Sequence, residues 1–299
     1  MKVNYYPGCT LKTKAKNLEE AAIASMKILG VELDEIDRWN CCGAVYSLAD
    51  DDLIHKVAPV RNLIRTKEQG GDKLVTLCSM CYNTLARANL LMRNNTEHRD
   101  TINRFMDDEI DYSGEVEVLH LLKFLKDEVG MDKVREKVKL PLKDLKVAPY
   151  YGCTLQRPRE VGIEPVGSYE LMTEFLEALG ATVVNFSGSS LCCGSYQTLG
   201  NPEAAGEVAS KILNMAADAG ADVLATSCPL CEFNLGKNQS ALIEHKKIAA
   251  RVPTLYFTQL MATAFGLDPE ICHFELNDSG AVELLKSKKY PTEIKKAAA

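Results

Sequence analysis

Ten of the eleven cysteines in this chain fall into two sets with one order: Cys9, Cys41, Cys42, Cys78 and Cys81, then Cys153, Cys192, Cys193, Cys228 and Cys231. Only Cys272 is left over. The flanking residues repeat too: YYPGCTL (5–11) answers YYGCTL (150–155), NCCGAVYSL (40–48) answers LCCGSYQTL (191–199), and LCSMCYNTL (77–85) answers SCPLCEFNL (227–235). Such self-similarity means that one structural unit is built twice. Cys42 to Cys78 spans 36 positions and Cys193 to Cys228 spans 35, whereas Cys9 to Cys41 spans 32 and Cys153 to Cys192 spans 39. An extra loop is therefore expected in the last interval, at 165–169.

Between the motifs, short β-rich runs alternate with amphipathic stretches, the pattern of βα units around a parallel sheet. Strands are predicted at 3–6, 31–36, 74–77 and 116–119, then at 147–151, 182–186, 223–226 and 254–257. Helices are predicted at 14–29, 52–69 and 82–93, then at 170–179, 202–219, 231–237 and 259–265. Gly30 and Gly180 stand where a glycine ends a helix before the next strand. The expected architecture is α/β: two pseudo-symmetric domains, 1–143 and 144–299, each a small, mostly parallel sheet flanked by helices. PLKDLK (141–146) reads as the linker, and the tail from 271 has no counterpart in the first half and ends frayed.

A chain of 299 residues with 46% hydrophobic and 25% charged residues has room for two ordinary globular cores. The net charge of −6 argues against nucleic acid or an anionic membrane as partner. The opening MKVNYYPGCTLK has no secretion-signal pattern, and stretches such as 254–266 are too short to span a bilayer. A cytoplasmic chain without direct membrane insertion is expected. In that compartment thiols stay reduced, so many cysteines point to metal ligation or redox chemistry.

The first cysteine, the pair and the CxxC all follow predicted strands, and open α/β sheets bind ligands at the carboxyl ends of strands. Five sulfurs per half can converge there. A CxxC puts two thiolates on one turn, as zinc and iron–sulfur sites both require. Adjacent cysteines diverge, which is awkward around one ion and easy around different metals of a cluster. Gly43 and Gly194 leave room beside each pair. A structural zinc site closes with four ligands and leaves a fifth cysteine over in each half. A redox dithiol explains two of the five. A four-thiolate cubane also leaves one over, so an unusual cluster with a fifth thiolate is the sharper reading.

The pattern C…CCG…CxxC, twice in one chain, resembles the CCG-domain proteins, and from about residue 3 to 266 the chain is similar to the heterodisulfide reductase B-subunit family of methanogenic archaea. The resemblance implies that each domain holds a noncubane [4Fe-4S] cluster on its five cysteines. The two clusters would face each other, each binding one sulfur of the coenzyme M–coenzyme B disulfide, which is reduced to two thiols. It also implies partners: a C subunit with cubane [4Fe-4S] clusters, a flavin-containing A subunit and, further upstream, a hydrogenase or formate dehydrogenase. CCG domains also occur in subunits of lactate, glycolate and succinate-type oxidoreductases, several of which carry a ferredoxin run, CxxCxxCxxxCP, that is missing here. An electron-transfer subunit of that kind is the alternative.

The implied substrate is anionic, which singles out Lys12, Arg157 and Arg159 just after the first cysteine of each repeat. Solvated surface charge is the bland explanation for each. His120 and Tyr256 stand at matching strand ends and are candidate proton donors, against an ordinary structural hydrogen bond. Trp39 and Asn40 precede the first pair and are placed to wall it. Cys272 reads as a small buried hydrophobe. His55, His98, His245 and His273 receive no role.

Overall fold

The computed structural model describes residues 1–44, 52–277 and 279–293; the end of the NCCGAVYSL motif and the last residues of the tail lie outside them. The first half contains β1 (Lys2–Tyr6), α1 (Lys16–Ile28), β2 (Glu32–Glu35), α2 (Val57–Glu68), β3 (Lys73–Thr76), α3 (Ser79–Asn94), α4 (Thr96–Phe105), β4 (Glu117–His120), α5 (Leu121–Phe124) and α6 (Met131–Glu136). The second contains β5 (Lys146–Pro149), α7 (Glu170–Ala178), β6 (Thr182–Val183), α8 (Pro202–Asp218), β7 (Val223–Thr226), α9 (Pro229–Glu232), α10 (Gln239–Glu244), β8 (Thr254–Tyr256), α11 (Phe257–Ala264) and α12 (Ser279–Ser287). Each half forms a four-stranded sheet, ordered β2-β1-β3-β4 and β6-β5-β7-β8, with every pairing parallel.

Burial follows strand position. β7 is buried along its length and β3 almost so, as central parallel strands covered by helices should be. The acidic ELDE of β2 and the two-residue β6 are edges, where polarity and brevity discourage further pairing. The register is the same in both halves: Thr76 lies opposite His120, and Thr226 opposite Tyr256.

Several boundaries differ from expectation for local reasons. α3 and α9 begin at the CxxC itself, because Cys78 and Cys228 take extended backbone and act as N-caps. Their carbonyls accept from Tyr82 and Glu232 at 2.9 Å each, closing the first turn. α4 was not foreseen; the Asn95 side chain accepts from the His98 amide and starts a new helix where α3 stops. The extra residues of the second half form a loop after Cys153, so α7 starts only at Glu170. Gln156 pins that loop by donating to the Pro165 and Ser168 carbonyls.

The tail is part of the core, and Cys272 is buried as the sequence led us to expect. Cys272, Phe274 and Leu285 are buried, and the segment packs where α1 and α11 meet. Asn277 accepts from Asn17 of the first half at 3.2 Å and from Gln259 of the second at 2.7 Å. Thr258 donates to the Leu18 carbonyl at 2.9 Å, joining α11 to α1. A row of rings crosses the same boundary: Tyr82, His120, Phe257 and Phe175 succeed one another at centroid distances of 5.7–5.9 Å. The two halves therefore share a core.

Candidate functional site: two facing cysteine sets

In each sheet the chain moves outward from the first strand and then crosses back to the third, which leaves a crevice at the carboxyl ends of β1 and β3, or β5 and β7. Cys9 follows β1 and Cys78 follows β3; Cys153 and Cys228 follow β5 and β7. The Cys41-Cys42 pair comes in from beyond β2.

The sulfurs meet in the same order in both halves. Cys9 Sγ lies 3.8 Å from Cys41 Sγ, and Cys42 Sγ lies 3.6 Å from Cys81 Sγ. In the second half Cys153 stands beside Cys192, and Cys193 beside Cys231. Cys78 joins Cys81 within the first half and Cys228 across the boundary, and Cys228 continues to Cys231. The two sets thus approach one another at Cys78 and Cys228. Thiol pairs this close share protons unequally: Cys78 is pushed up by its bond with Cys228, which is itself held well down by Cys231 and Cys78. Cys192 is lowered to about 6, chiefly by the bond from Cys153, with the Gly194 amide also donating. Cys9 and Cys41 are exposed, whereas Cys78, Cys81, Cys228 and Cys231 are buried.

One tyrosine per half braces the pair. Tyr6 hydroxyl donates to the Asn40 carbonyl at 2.9 Å, and Tyr150 hydroxyl to the Leu191 carbonyl at 2.7 Å; in each case the acceptor is the residue just before the pair. Trp39 stands edge-on to Tyr6 and donates to Glu35. Asn40 donates to the Cys41 and Ala58 carbonyls. The tyrosine lies three positions before the first cysteine in both repeats, a coincidence readable from the sequence and missed there.

The other singled-out residues are placed unequally. Lys12 is bound by Glu19 at 2.8 Å and Glu35 at 2.6 Å. Arg157 is exposed and donates to the Ser190 carbonyl; Arg159 is exposed on the short turn Arg159–Val161. His120 has both ring nitrogens engaged, Nε2 at the Leu77 carbonyl (2.9 Å) and Nδ1 at the Leu122 amide (3.3 Å). Burial lowers its pKa to about 4, so it is neutral. Tyr256 is buried within the electrostatic reach of Glu232, Cys228, Cys78 and Cys231, and burial first, then those anions, keep its hydroxyl protonated. Cys272 is buried away from both sets, its pKa raised to about 12 by burial. Tyr196 and Arg87 were not foreseen. Burial and the charges of Cys153, Cys192 and Cys228 push Tyr196 up to about 12, against the opposing charge of Arg87.

The surroundings suit a sulfur-rich group larger than an ion. Among the described residues no three ligating side chains converge on a single ion-sized position. A Cβ at Gly8 would crowd Cys81 Sγ at 3.0 Å, whereas one at Gly152 would meet Cys231 Sγ at an ordinary 3.4 Å; both glycines take the left-handed backbone that brings the turn close to the sulfurs. The buried hydroxyls of Thr76 and Ser227, close in sequence to Cys78 and Cys228, have no hydrogen-bond partner. Buried donors of this kind are rare unless something accepts from them. Thiolates and sulfides of an iron–sulfur cluster are suitable acceptors.

Two parallel sheets with a five-cysteine set at each crevice define a duplicated cysteine-rich domain, and the chain belongs to the CCG family, the cysteine-rich domain matching at residues 3–86 and again at 147–236. Among its relatives is a Wolinella succinogenes protein named the membrane anchor subunit of 8-methylmenaquinol:fumarate reductase, 35% identical over 88% of this chain and 92% of that one. Another is the B subunit of the ferredoxin/F(420)H(2)-dependent CoB-CoM heterodisulfide reductase of Methanosarcina acetivorans, 29% identical over 95% of this chain and 96% of that one. A protein of Archaeoglobus profundus named as like the B subunit of heterodisulfide reductase is also 29% identical, over 90% and 92%. The crystal structure of a hypothetical protein from Helicobacter pylori shares the fold, with a TM-score of 0.72 at 14% identity over 92% of this chain; the chain spans about half of that protein, 51%. Among the described residues no helix is long and apolar enough to cross a membrane.

Proposed function

We propose that this chain is the catalytic, B-type subunit of a heterodisulfide reductase, reducing the mixed disulfide of coenzyme M and coenzyme B to the two free thiols. The observation that carries this reading is the meeting of two like cysteine sets at Cys78 and Cys228. A disulfide has two linked sulfurs and needs two electrons and two protons to become two thiols; two equivalent sites on one interface match that need. Cys9, Cys41, Cys42, Cys78 and Cys81 would hold one noncubane [4Fe-4S] cluster, and Cys153, Cys192, Cys193, Cys228 and Cys231 the other. When bound, such clusters supply single electrons and Lewis-acidic iron.

The chain's own residues do the rest. Arg157 and Arg159, exposed on the loop after Cys153, offer positive charge to an anionic substrate at the second set. Tyr256 holds a proton beside Cys228 and Cys78, whereas His120, with both nitrogens engaged, fixes the β4 end against the first CxxC. The named archaeal relatives support the heterodisulfide substrate and membership of a multisubunit complex. Within this proposal the chain works in the cytoplasm with a cubane-bearing C subunit and a flavin-bearing A subunit, fed in turn by a hydrogenase or formate dehydrogenase.

A second reading has its own support. The Wolinella relative belongs, by name, to a quinol:fumarate reductase, and under that reading the same paired clusters pass electrons without cleaving a disulfide. Anaerobic purification with iron and sulfide analysis comes first. Turnover of the coenzyme M–coenzyme B disulfide with a reduced viologen is then the test. An iron-replete complex with its C-type partner that leaves the disulfide intact sinks the first reading, and electron transfer coupled to fumarate in that complex establishes the second.

A further inference from the structure

The two halves carry the same cysteines but are not joined symmetrically. Tyr82 and Asn83, which follow Cys81 on α3, reach out of the first half to the loop after Cys153. Asn83 Nδ2 donates to the Thr154 carbonyl at 2.8 Å and to the Arg157 carbonyl at 2.7 Å, and Tyr82 hydroxyl donates to the Val161 carbonyl at 2.9 Å. Asn83 is only 1% exposed. The Thr154 and Arg157 carbonyls lie in irregular chain and the Val161 carbonyl ends the single 3-10 turn Arg159–Val161, so a side-chain donor that satisfies them also fixes the path of the chain.

The matching positions of the second half are built differently. In the repeat, Asn83 corresponds to Phe233, which has no hydrogen-bond donor and is 42% exposed. Tyr82 corresponds to Glu232, whose carboxylate lies 3.8 Å from Lys237 of its own half. The loop after Cys9 closes on itself instead: the amides of Lys14 and Ala15 donate to the Thr10 carbonyl at 2.8 and 2.9 Å, and Thr13 hydroxyl donates to the Cys9 carbonyl at 3.0 Å. Before Cys153 the chain is tied to its own half, with Tyr151 and Gly152 amides donating to the Ser189 carbonyl. After Cys153 it is tied both to its own half, through Gln156 and Arg157, and to the other half, through Tyr82 and Asn83.

We propose that Asn83 is a positioning residue for Cys153, so that the second sulfur set takes its shape only against the folded first half, while the first set does not depend on the second in this way. Tyr82 acts with it. The inference rests on the reading that each set holds an iron–sulfur cluster. It makes a residue two positions from a ligand of one cluster govern the assembly of the other.

The test uses the full-length chain, purified anaerobically with its partner subunits, and compares Asn83→Leu with two references, Cys153→Ser and Cys9→Ser. Iron content and electron paramagnetic resonance are read on each. The expected Asn83→Leu spectrum follows Cys153→Ser, with the second-half signal lost and the first-half signal kept. Loss of the first-half signal, equal loss of both, or an unchanged spectrum overturns the proposal. Should Asn83→Leu not fold, Tyr82→Phe removes a single hydroxyl and is judged by the same outcomes, with a smaller selective loss expected. Wild-type protein without iron would overturn the cluster reading itself, which separates the two failures.

Discussion

Tyr6 and Tyr150 illustrate how little of a sulfur site is sulfur. Each is fully buried at the end of a first strand, and each spends its hydroxyl on the carbonyl before a cysteine pair. Removing the hydroxyl leaves a partly buried acceptor unpaired, which costs about 1–3 kcal/mol. Tyr6→Phe is expected to lower thermal stability by that order and to perturb the cluster signal of the first half alone, and Tyr150→Phe that of the second. Melting curves and cluster spectra of the two variants check this. Gly8 and Gly152 have backbone φ of +77° and +64°, and their missing side chains face Cys81 and Cys231. Gly8→Ala must push a sulfur that a Cβ would approach to 3.0 Å, whereas Gly152→Ala meets one at 3.4 Å. Iron content should therefore fall in both variants and further in Gly8→Ala; equal retention of iron would show that the sulfurs have room to move. Tyr256→Phe keeps the ring and removes the proton, so turnover should drop by about a hundredfold while cluster spectra stay unchanged.

At the scale of elements, the tail behaves as part of the core because polar groups on three segments satisfy one another at Asn17, Gln259 and Asn277. His273 adds a titrating contact. Its ring sits between Glu20 of α1 at 2.8 Å and Glu275 at 2.9 Å. Partial burial opposes the charge, but the two carboxylates prevail and raise the pKa above its ordinary value. A histidine with a raised folded pKa stabilises fully below its unfolded value of about 6.5, and that contribution fades as pH rises through the folded pKa. Wild type should therefore melt higher than His273→Gln near pH 6 and lose the advantage in mildly alkaline buffer. Parallel pH dependence of the two melting temperatures would remove His273 from the docking of the tail.

For the whole molecule the shared core sets the unit of folding. α1 packs against α11, Lys139 and Leu140 amides both donate to the Ala264 carbonyl, and the ring row from Tyr82 to Phe175 is divided between the halves. Residues 1–143 alone would expose the apolar face of α1 that α11 covers. That fragment is expected to aggregate when produced alone and to become soluble when 144–299 is co-produced; a soluble, cooperatively melting fragment would make the halves independent domains.

Much of this architecture was legible before any tertiary contact was known, for a physical reason. Strand alternation, helix periodicity and the repeated cysteine blocks are local properties, written into consecutive residues, so the βα order and the matching of His120 with Tyr256 followed from them. The fate of Lys12 was not local: Glu35 reaches it only because β2 pairs with β1, which brings that carboxylate alongside. The same holds for Cys78 against Cys228 and for Asn83 against the Thr154 loop, contacts between residues far apart in the chain with no periodic trace. By itself the sequence determined two cysteine sets on two copies of one α/β unit. Only the packing of α1, α11 and the tail decided that the sets meet, and that one half holds a loop of the other, because the angle between two copies depends on side chains that the repeat does not share.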